Sequence, residues 1–249
     1  LLISHSQTYL RADTMKDSIV QYNKELSGTD PDGAITYFNT LFPGRCVFST
    51  SLGAEDQVLT EIIAASAPSV RIITLDTGRL FEETYELIRI TEQKYNIKIE
   101  VCFPDHVSVE RMVNSKGINL FYDSVENRKE CCHVRKIEPL GRALDGMKAW
   151  ITGLRREQSS DRAGIETVSW DETHSVLKLN PLINWTEQEV WSVIRSKKIP
   201  YNSLHDKGFP SIGCLPCTRA VMPGEHIRAG RWWWEDGSKK ECGLHNDKK

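Results

Sequence analysis

Three observations predict an α/β fold with a mostly parallel sheet and helices on both of its faces. From Arg45 onward, short apolar runs of strand character alternate with amphipathic runs of helical period. The turn after the first run, Ser49-Thr50-Ser51-Leu52-Gly53-Ala54-Glu55-Asp56, is made of small hydroxyl residues and glycine. The second strand run ends in Leu75-Asp76-Thr77-Gly78, which puts a carboxylate at the same sheet edge. At 249 residues the chain suffices for one large α/β domain or two small ones, with a core that needs no staples.

Residues 1–40 read as a partly polar helical segment that closes in the turn-dense Gly28-Thr29-Asp30-Pro31-Asp32-Gly33. Cys46 to Ser49 reads as a short buried strand, and Asp56 to Ala65 as a helix with Val58, Leu59, Ile62 and Ile63 on its inner face. A second strand (Val70 to Leu75), a longer helix (Phe81 to Tyr95), a third strand (Ile97 to Phe103) and a short helix (His106 to Asn114) follow. Ala149 to Gly153 and Val176 to Leu179 are later strands. Thr186-Glu187-Gln188-Glu189 is a capping box opening a helix to about Lys198. Beyond Pro200 the chain is rich in Gly, Pro, Trp and charge without periodicity, and reads as an irregular C-terminal extension folded over the sheet. One structural domain is thus expected, with an N-terminal helical segment (1–40), an α/β nucleotide-binding part (41–200) and the extension (201–249).

The composition, 39% hydrophobic and 27% charged, is that of a soluble globular protein. A net charge of -2 argues against a nucleic-acid binder, so an anionic ligand must be met by a local cluster of cations. No apolar run approaches membrane-spanning length, and the opening Leu1-Leu2-Ile3-Ser4-His5 has neither a basic nor a sustained apolar region. The expectation is a cytoplasmic protein with no membrane partner. A homo-oligomer is compatible with the chain.

The cysteines divide. Cys131-Cys132 and Cys214-Leu215-Pro216-Cys217 form two close pairs about eighty residues apart, whereas Cys242 stands in Glu241-Cys242-Gly243-Leu244-His245. Paired thiols in an enzyme-sized chain fit metal binding in a reducing compartment better than a disulfide framework. Zinc and a [4Fe–4S] cubane both accept four thiolates. Adjacent cysteines reach a common centre only from a helical or turn backbone, and a cubane spreads its ligands over several irons, which favours the cluster. Lys129, Arg135 and Lys136 flank the first pair and Arg219 follows the second. Gly153 to Arg162, with Arg155 and Arg156, and Arg228-Ala229-Gly230-Arg231 before Trp232-Trp233-Trp234 are further basic loops. A charge run is commonly a solvated face; three such loops in a slightly acidic chain point to a focused anion site. The loop at Ser49 offers backbone N–H groups at a helix N-terminus, although each of its residues also suits a plain tight turn, and Asp76 a helix cap. Lys240 and His245 beside Cys242 suit an exposed thiol of lowered pKa, and Cys46 and Cys102 read as core.

Taken in order, Ser49–Asp56, Leu75–Gly78, Cys131–Lys136, Gly153–Arg162, Cys214–Cys217, Arg228–Trp234 and Glu241–His245 resemble the assimilatory adenylyl-sulfate (APS) reductases of the phosphoadenylyl-sulfate (PAPS) reductase family, over roughly residues 40 to 245. The resemblance implies an adenine-nucleotide α-hydrolase-like fold. It implies reduction of adenosine 5'-phosphosulfate to sulfite and AMP through an S-sulfocysteine on Cys242, with thioredoxin or a glutaredoxin-like protein as reductant. It also implies a [4Fe–4S] cluster on Cys131, Cys132, Cys214 and Cys217. Substrate contacts are implied for Lys136, Arg228, Arg231 and His245, and for Arg155 or Arg156, with the nucleotide against Ser49, Ser51, Gly53, Asp56, Asp76 and Thr77. Three alternatives stay open at this point: a cluster-bearing reductase that also takes PAPS, an ATP-pyrophosphatase-type tRNA-thiolating enzyme, and a zinc-stabilised binding module. The loop lacks the Ser-Gly-Gly-x-Asp-Ser pattern that grips pyrophosphate, which counts against the second.

Overall fold

The computed structural model describes residues 12–159 and 162–235. Its centre is one six-stranded sheet: β1 (Cys46–Thr50), β2 (Arg71–Leu75), β3 (Glu100–Cys102), β4 (Ala149–Ile151), β5 (Val168–Asp171) and β6 (Val176–Leu179), in the order β3-β2-β1-β4-β6-β5. All neighbouring strands run parallel except β5, which pairs antiparallel with β6 at the edge. The chain order reverses at β1, whose neighbours are β2 on one side and β4 on the other. That is a topological switch point, where the loops leaving adjacent strands diverge and open a crevice.

Alternation along the strands divides the core. Cys46 and Phe48 of β1 and Ala149 and Ile151 of β4 face one side, with Phe38, Val58, Leu59, Ile63, Val190 and Ile194. These come from three helices: α3 (Pro31–Leu41), α4 (Ala54–Ser66) and α9 (Glu187–Lys197), after the N-terminal α1 (Ala12–Asp17) and α2 (Ile19–Glu25). Val47, Ile73, Trp150 and Val176 face the other side, against Leu140, Ala143 and Leu144. Strands covered on both faces read as near-continuous apolar runs, which is why β1, β2 and β4 are conspicuous in the sequence.

The remaining helices are α5 (Glu82–Tyr95), α6 (His106–Lys116), α7 (Val125–Cys132) and α8 (Glu138–Leu144). A π-helical turn, His133–Ile137, joins α7 to α8. Its sequence motif was expected on a helical or turn backbone, and Cys131 and Cys132 indeed close α7. Three differences from the sequence expectation concern elements. The third strand is confined to Glu100–Cys102, and the helical stretch from Val125 to Leu144 and the edge strand β5 were not anticipated. The C-terminal extension, as far as Glu235, packs its Cys214, Cys217 and Trp232 with Met112, Leu120, Phe121 and Val134 into a third apolar cluster. No helix among the described residues is long and apolar enough to cross a membrane.

Candidate functional site

The crevice at the switch point is a cavity of about 260 Å³, lined by Ser49 to Ser51 and Gly53 to Asp56 after β1, Thr152 to Arg155 after β4, and the Pro210–Cys214 segment. The loop after β1 is shaped by local bonds. Leu52 adopts a left-handed φ of 60° and is buried, and its N–H donates to Thr50 Oγ1 at 2.9 Å. Ser51 donates to Asp56 Oδ2 twice, from its backbone N at 2.6 Å and from Oγ at 2.7 Å. Burial pushes the Asp56 carboxyl up to about 6, those two bonds pull it down, and nearby Glu55 adds to the rise. No side chain caps the start of α4 at Gly53, so its first turn opens on the cavity wall. Across the crevice, Trp150 Nε1 donates to Ser49 Oγ at 2.7 Å.

Gly153 explains how β4 approaches so closely. A Cβ built on it would lie 2.1 Å from Asp56 Oδ1 and 3.2 Å from Glu55 Cβ. The adjacent arginines separate. Arg155 is buried on the cavity wall, where its Nε donates to Glu55 Oε1 at 2.7 Å and a terminal nitrogen to Glu157 at 3.2 Å. Gln158 Nε2 also donates to Glu55 Oε1, at 3.0 Å. Arg156 turns away to Asn184 and the Ile165 carbonyl and does not line the cavity. Arg162, buried, does line it.

A second, smaller cavity is lined by Cys131, Cys132, Cys214 and Cys217 with Arg79, Phe121, Arg128, Arg135, Pro216 and Trp232. Lys136 and Cys214 belong to the walls of both cavities. Thr77 Oγ1 lies 3.3 Å from Cys214 Sγ, and Arg135 donates to the Thr77 carbonyl at 2.6 Å. The CxxC segment is zipped to the basic loop by a bridge between Thr218 and Arg231 and by Trp232 N donating to the Cys217 carbonyl at 3.1 Å. Trp232, at φ 44°, sits between two guanidinium groups, Arg128 at 4.5 Å and Arg231 at 4.8 Å. Arg128 is held in turn by a buried bidentate pair with Glu235, at 2.6 and 3.1 Å.

The thiols lie in one another's field. Burial pushes Cys217 up to about 12 and also raises Cys131, and Cys214 adds to the rise of both, while Lys136 opposes it in both. Among the described residues no set of three His, Cys, Asp or Glu side chains converges as a single-ion site. The four cysteines surround a space instead, and two buried donors beside it, Trp232 Nε1 and Arg135 Nε, have no hydrogen-bond partner among the described residues.

Comparison with known proteins fits this arrangement. Residues 45–220 match the phosphoadenosine phosphosulfate reductase domain family. The adenosine 5'-phosphosulfate reductase of Allochromatium vinosum is 55% identical over 199 residues, covering 80% of this chain and 78% of that protein. The chain belongs to the PAPS reductase family. The protein of the same name from Agrobacterium fabrum is 47% identical over 88% of this chain and 84% of its own. Among solved structures, the PAPS reductase of Candida auris in a phosphate complex aligns with a TM-score of 0.71 at 28% identity, covering 88% of this chain and 99% of that one. Candida glabrata FMN adenylyltransferase, at 17% identity and a TM-score of 0.54, shares the fold.

Within this PAPS reductase fold, most of the expected site residues come together. Ser49, Ser51, Gly53, Asp56, Thr77, Lys136, Arg155, Arg228 and Arg231 all line the larger cavity. Asp76 does not: it is buried at the end of β2, accepting from Gly78 N at 2.7 Å and Tyr85 Oη at 2.9 Å, and so builds the loop that carries Thr77. Cys242 and His245 lie outside the described residues. Glu55, Trp150, Arg162 and His205 line the cavity without having been singled out. Glu55 and Arg162 lay inside motifs already noted, whereas His205 carried no sequence signal.

Proposed function

We propose that the chain reduces adenosine 5'-phosphosulfate to sulfite and AMP, with electrons from a dithiol protein of the thioredoxin or glutaredoxin class. The observation that carries this reading is the shared wall. A nucleotide-sized cavity at the sheet's switch point adjoins a four-cysteine cavity through Lys136 and Cys214. The relatives named adenosine 5'-phosphosulfate reductase, at 47 and 55% identity against 28% for the PAPS reductase, support the nucleotide without a 3'-phosphate.

The adenosine phosphate is bound by the Ser49–Asp56 loop, with Lys136, Arg228 and Arg231 offsetting its negative charge. The Cys242 thiolate attacks the sulfuryl sulfur, the bond from that sulfur to the bridging phosphate oxygen breaks, and its electron pair leaves on AMP. The enzyme then carries Cys242–S–SO₃⁻. A thiolate of the reductant attacks Cys242 Sγ and expels sulfite with the S–S bonding pair; the reductant's second thiol resolves the mixed disulfide and returns the Cys242 thiol. Two electrons thus pass from the dithiol to sulfur.

Cys131, Cys132, Cys214 and Cys217 would hold a [4Fe–4S] cluster. Thiols distributed round a space suit a polynuclear group better than one ion, and the unpartnered Trp232 and Arg135 donors suit its sulfur acceptors. Bound there, the cluster supplies structure and a fixed charge beside Lys136. Anaerobic purification tests the group: brown absorbance and iron, both lost in Cys214→Ser, are expected, and stoichiometric zinc in their place overturns it.

Mass spectrometry tests the reaction. Mixing with adenosine 5'-phosphosulfate and no reductant should add one SO₃ to the peptide containing Cys242, and nothing in Cys242→Ser. Dithiol-dependent sulfite release by Cys242→Ser sinks the mechanism. Equal turnover of the 3'-phosphorylated nucleotide sinks the choice of substrate.

A further inference from the structure

His205 plays no part in the chemistry above, yet it lines the larger cavity. Its Nε2 is buried and meets no hydrogen-bond partner among the described residues. A buried polar atom of this kind requires an explanation, because native proteins leave few of them unpaired.

The ring is held firmly. Its centroid lies 5.2 Å from that of Trp191 at an interplanar angle of 85°, and 6.4 Å from Tyr201. Its backbone belongs to the short 3₁₀ turn Ser203–Lys207, capped by Asn202, whose side chain accepts from Leu204 N at 3.0 Å. Asn202 is itself buried and donates to Thr84 Oγ1 of α5 at 3.1 Å. Two residues earlier, the Pro200 carbonyl accepts from Gln57 Nε2 of α4 at 2.8 Å. Two helices of the sheet's cover therefore fix where the imidazole stands.

Its protonation state follows from the surroundings. Burial pushes the ring's pKa below the ordinary histidine value, although Glu55, Asp206, Glu187 and a hydrogen bond with the Phe209 backbone all favour the charged form. The ring is neutral at pH 7. The Phe209 backbone favours a proton on the ring, and the tautomer that carries it on Nδ1 leaves Nε2, unpartnered among the described residues, as a lone-pair acceptor. A neutral acceptor in the field of Glu55 and Glu187 repels phosphate oxygens and suits an uncharged donor.

We propose that His205 Nε2 accepts a hydrogen bond from a neutral donor on the nucleoside part of the ligand, either a ribose hydroxyl or the exocyclic amine of adenine, and thereby sets nucleoside specificity. The proposal rests on the reading of this cavity as a nucleotide site. Lys136, Arg228 and Arg231 serve the anionic part of the ligand, whereas His205 serves the uncharged part.

Calorimetric titration of the full chain with AMP, inosine 5'-monophosphate, 2'-deoxy-AMP and 3'-deoxy-AMP tests it. One analogue should bind the wild type about tenfold or more weakly than AMP, the loss expected when a buried acceptor is left unpaired. Loss on the inosine nucleotide names the amine as donor, and loss on a deoxy nucleotide names that hydroxyl. His205→Phe should bind AMP as weakly as the wild type binds that analogue, and should no longer separate the two. His205→Gln places an acceptor near the Nε2 position and should restore the separation; His205→Asn places it near Nδ1 and should not. Should the Phe variant fail to fold, the Gln and Asn pair decides. A wild type that binds all four nucleotides alike, a His205→Phe that separates them as the wild type does, or Gln and Asn variants that behave identically overturns the role of His205. Failure of AMP to bind the wild type at all overturns the nucleotide reading itself.

Discussion

In the loop after β1 the carboxylates find their partners within the protein, whereas beside the four cysteines two buried donors have none among the described residues. Glu55 takes bonds from Arg155 and Gln158, and Asp56 takes two from Ser51. By contrast, Trp232 Nε1 and Arg135 Nε meet no acceptor among the described residues, and four buried or half-buried thiols share a small space. The carboxylate frame of the first is preorganised, and His205 Nε2 and Arg231 Nε on its walls, unpaired among the described residues, are open to a ligand that leaves that frame intact. The cluster proposed above would supply the second with acceptors for those donors. The difference sets a frame open to an exchanging ligand against one that the proposed cluster would complete.

Breaking the frame of the cysteine cavity should have the largest effect. Arg128 is 2% and Glu235 8% exposed, and their bidentate pair holds the guanidinium over Trp232. Arg128→Met keeps the length of the side chain but leaves Glu235 buried without its cation, which costs about 3–5 kcal/mol. Denaturant unfolding should show that loss, and the double variant Arg128→Met/Glu235→Leu should recover much of it. A loss below about 1 kcal/mol for the single variant would place the pair with ordinary exposed ion pairs.

That same pair shows why the cysteine region was hard to read from sequence. The parallel strands announce themselves because both faces are covered: Val47-Phe48 and Ile72-Ile73 are wholly apolar. Between Val125 and Leu144 the buried positions include Arg128, Cys132 and Arg135, so apolar periodicity fails where a helix exists. The edge strand β5 is short and flanked by turns, and offers no run to recognise. At the site, the loops of the motifs border the larger cavity, but the motifs do not tell the direction of each side chain. Arg155 and Arg156 are neighbours that diverge, one to Glu55 and the other to Asn184, because a 3₁₀ turn begins between them. Asp76 reads equally as ligand contact or loop support until Tyr85 and Gly78 are seen to occupy one of its oxygens.

The frame of the larger cavity can be sharpened through Asp56, a carboxyl whose pKa burial lifts to about 6. Between the unfolded value of 3.8 and about 6 the folded state binds the extra proton, so the ligand-free protein should lose stability as pH rises through this window. A shift of this size corresponds to at most about 3 kcal/mol. Asp56→Asn cannot ionise and should be free of that loss. Denaturation midpoints of the two proteins should nearly coincide at pH 4 and diverge above pH 6 in favour of Asn. A gap independent of pH would show that the carboxyl titrates in the fold as it does in the unfolded chain.

The smallest effect on stability, with the sharpest effect on binding, is expected at Gly153. A methyl group there meets Asp56 Oδ1 at 2.1 Å, and that carboxyl cannot swing aside without giving up Ser51 N and Oγ. Gly153→Ala must therefore shift either β4's exit or the Ser49–Asp56 loop, an overpacking strain of about 1–3 kcal/mol. Both alternatives move a wall of the larger cavity and leave the cysteine cavity, which Gly153 does not line, unchanged. Nucleotide affinity should fall at least about tenfold while iron content and its absorbance stay at the wild-type level. Loss of both together would mean that the two cavities are one mechanical unit, coupled through the wall of Lys136 and Cys214. Loss of neither would mean that the loop after β1 yields more easily than its bonds to Asp56 imply.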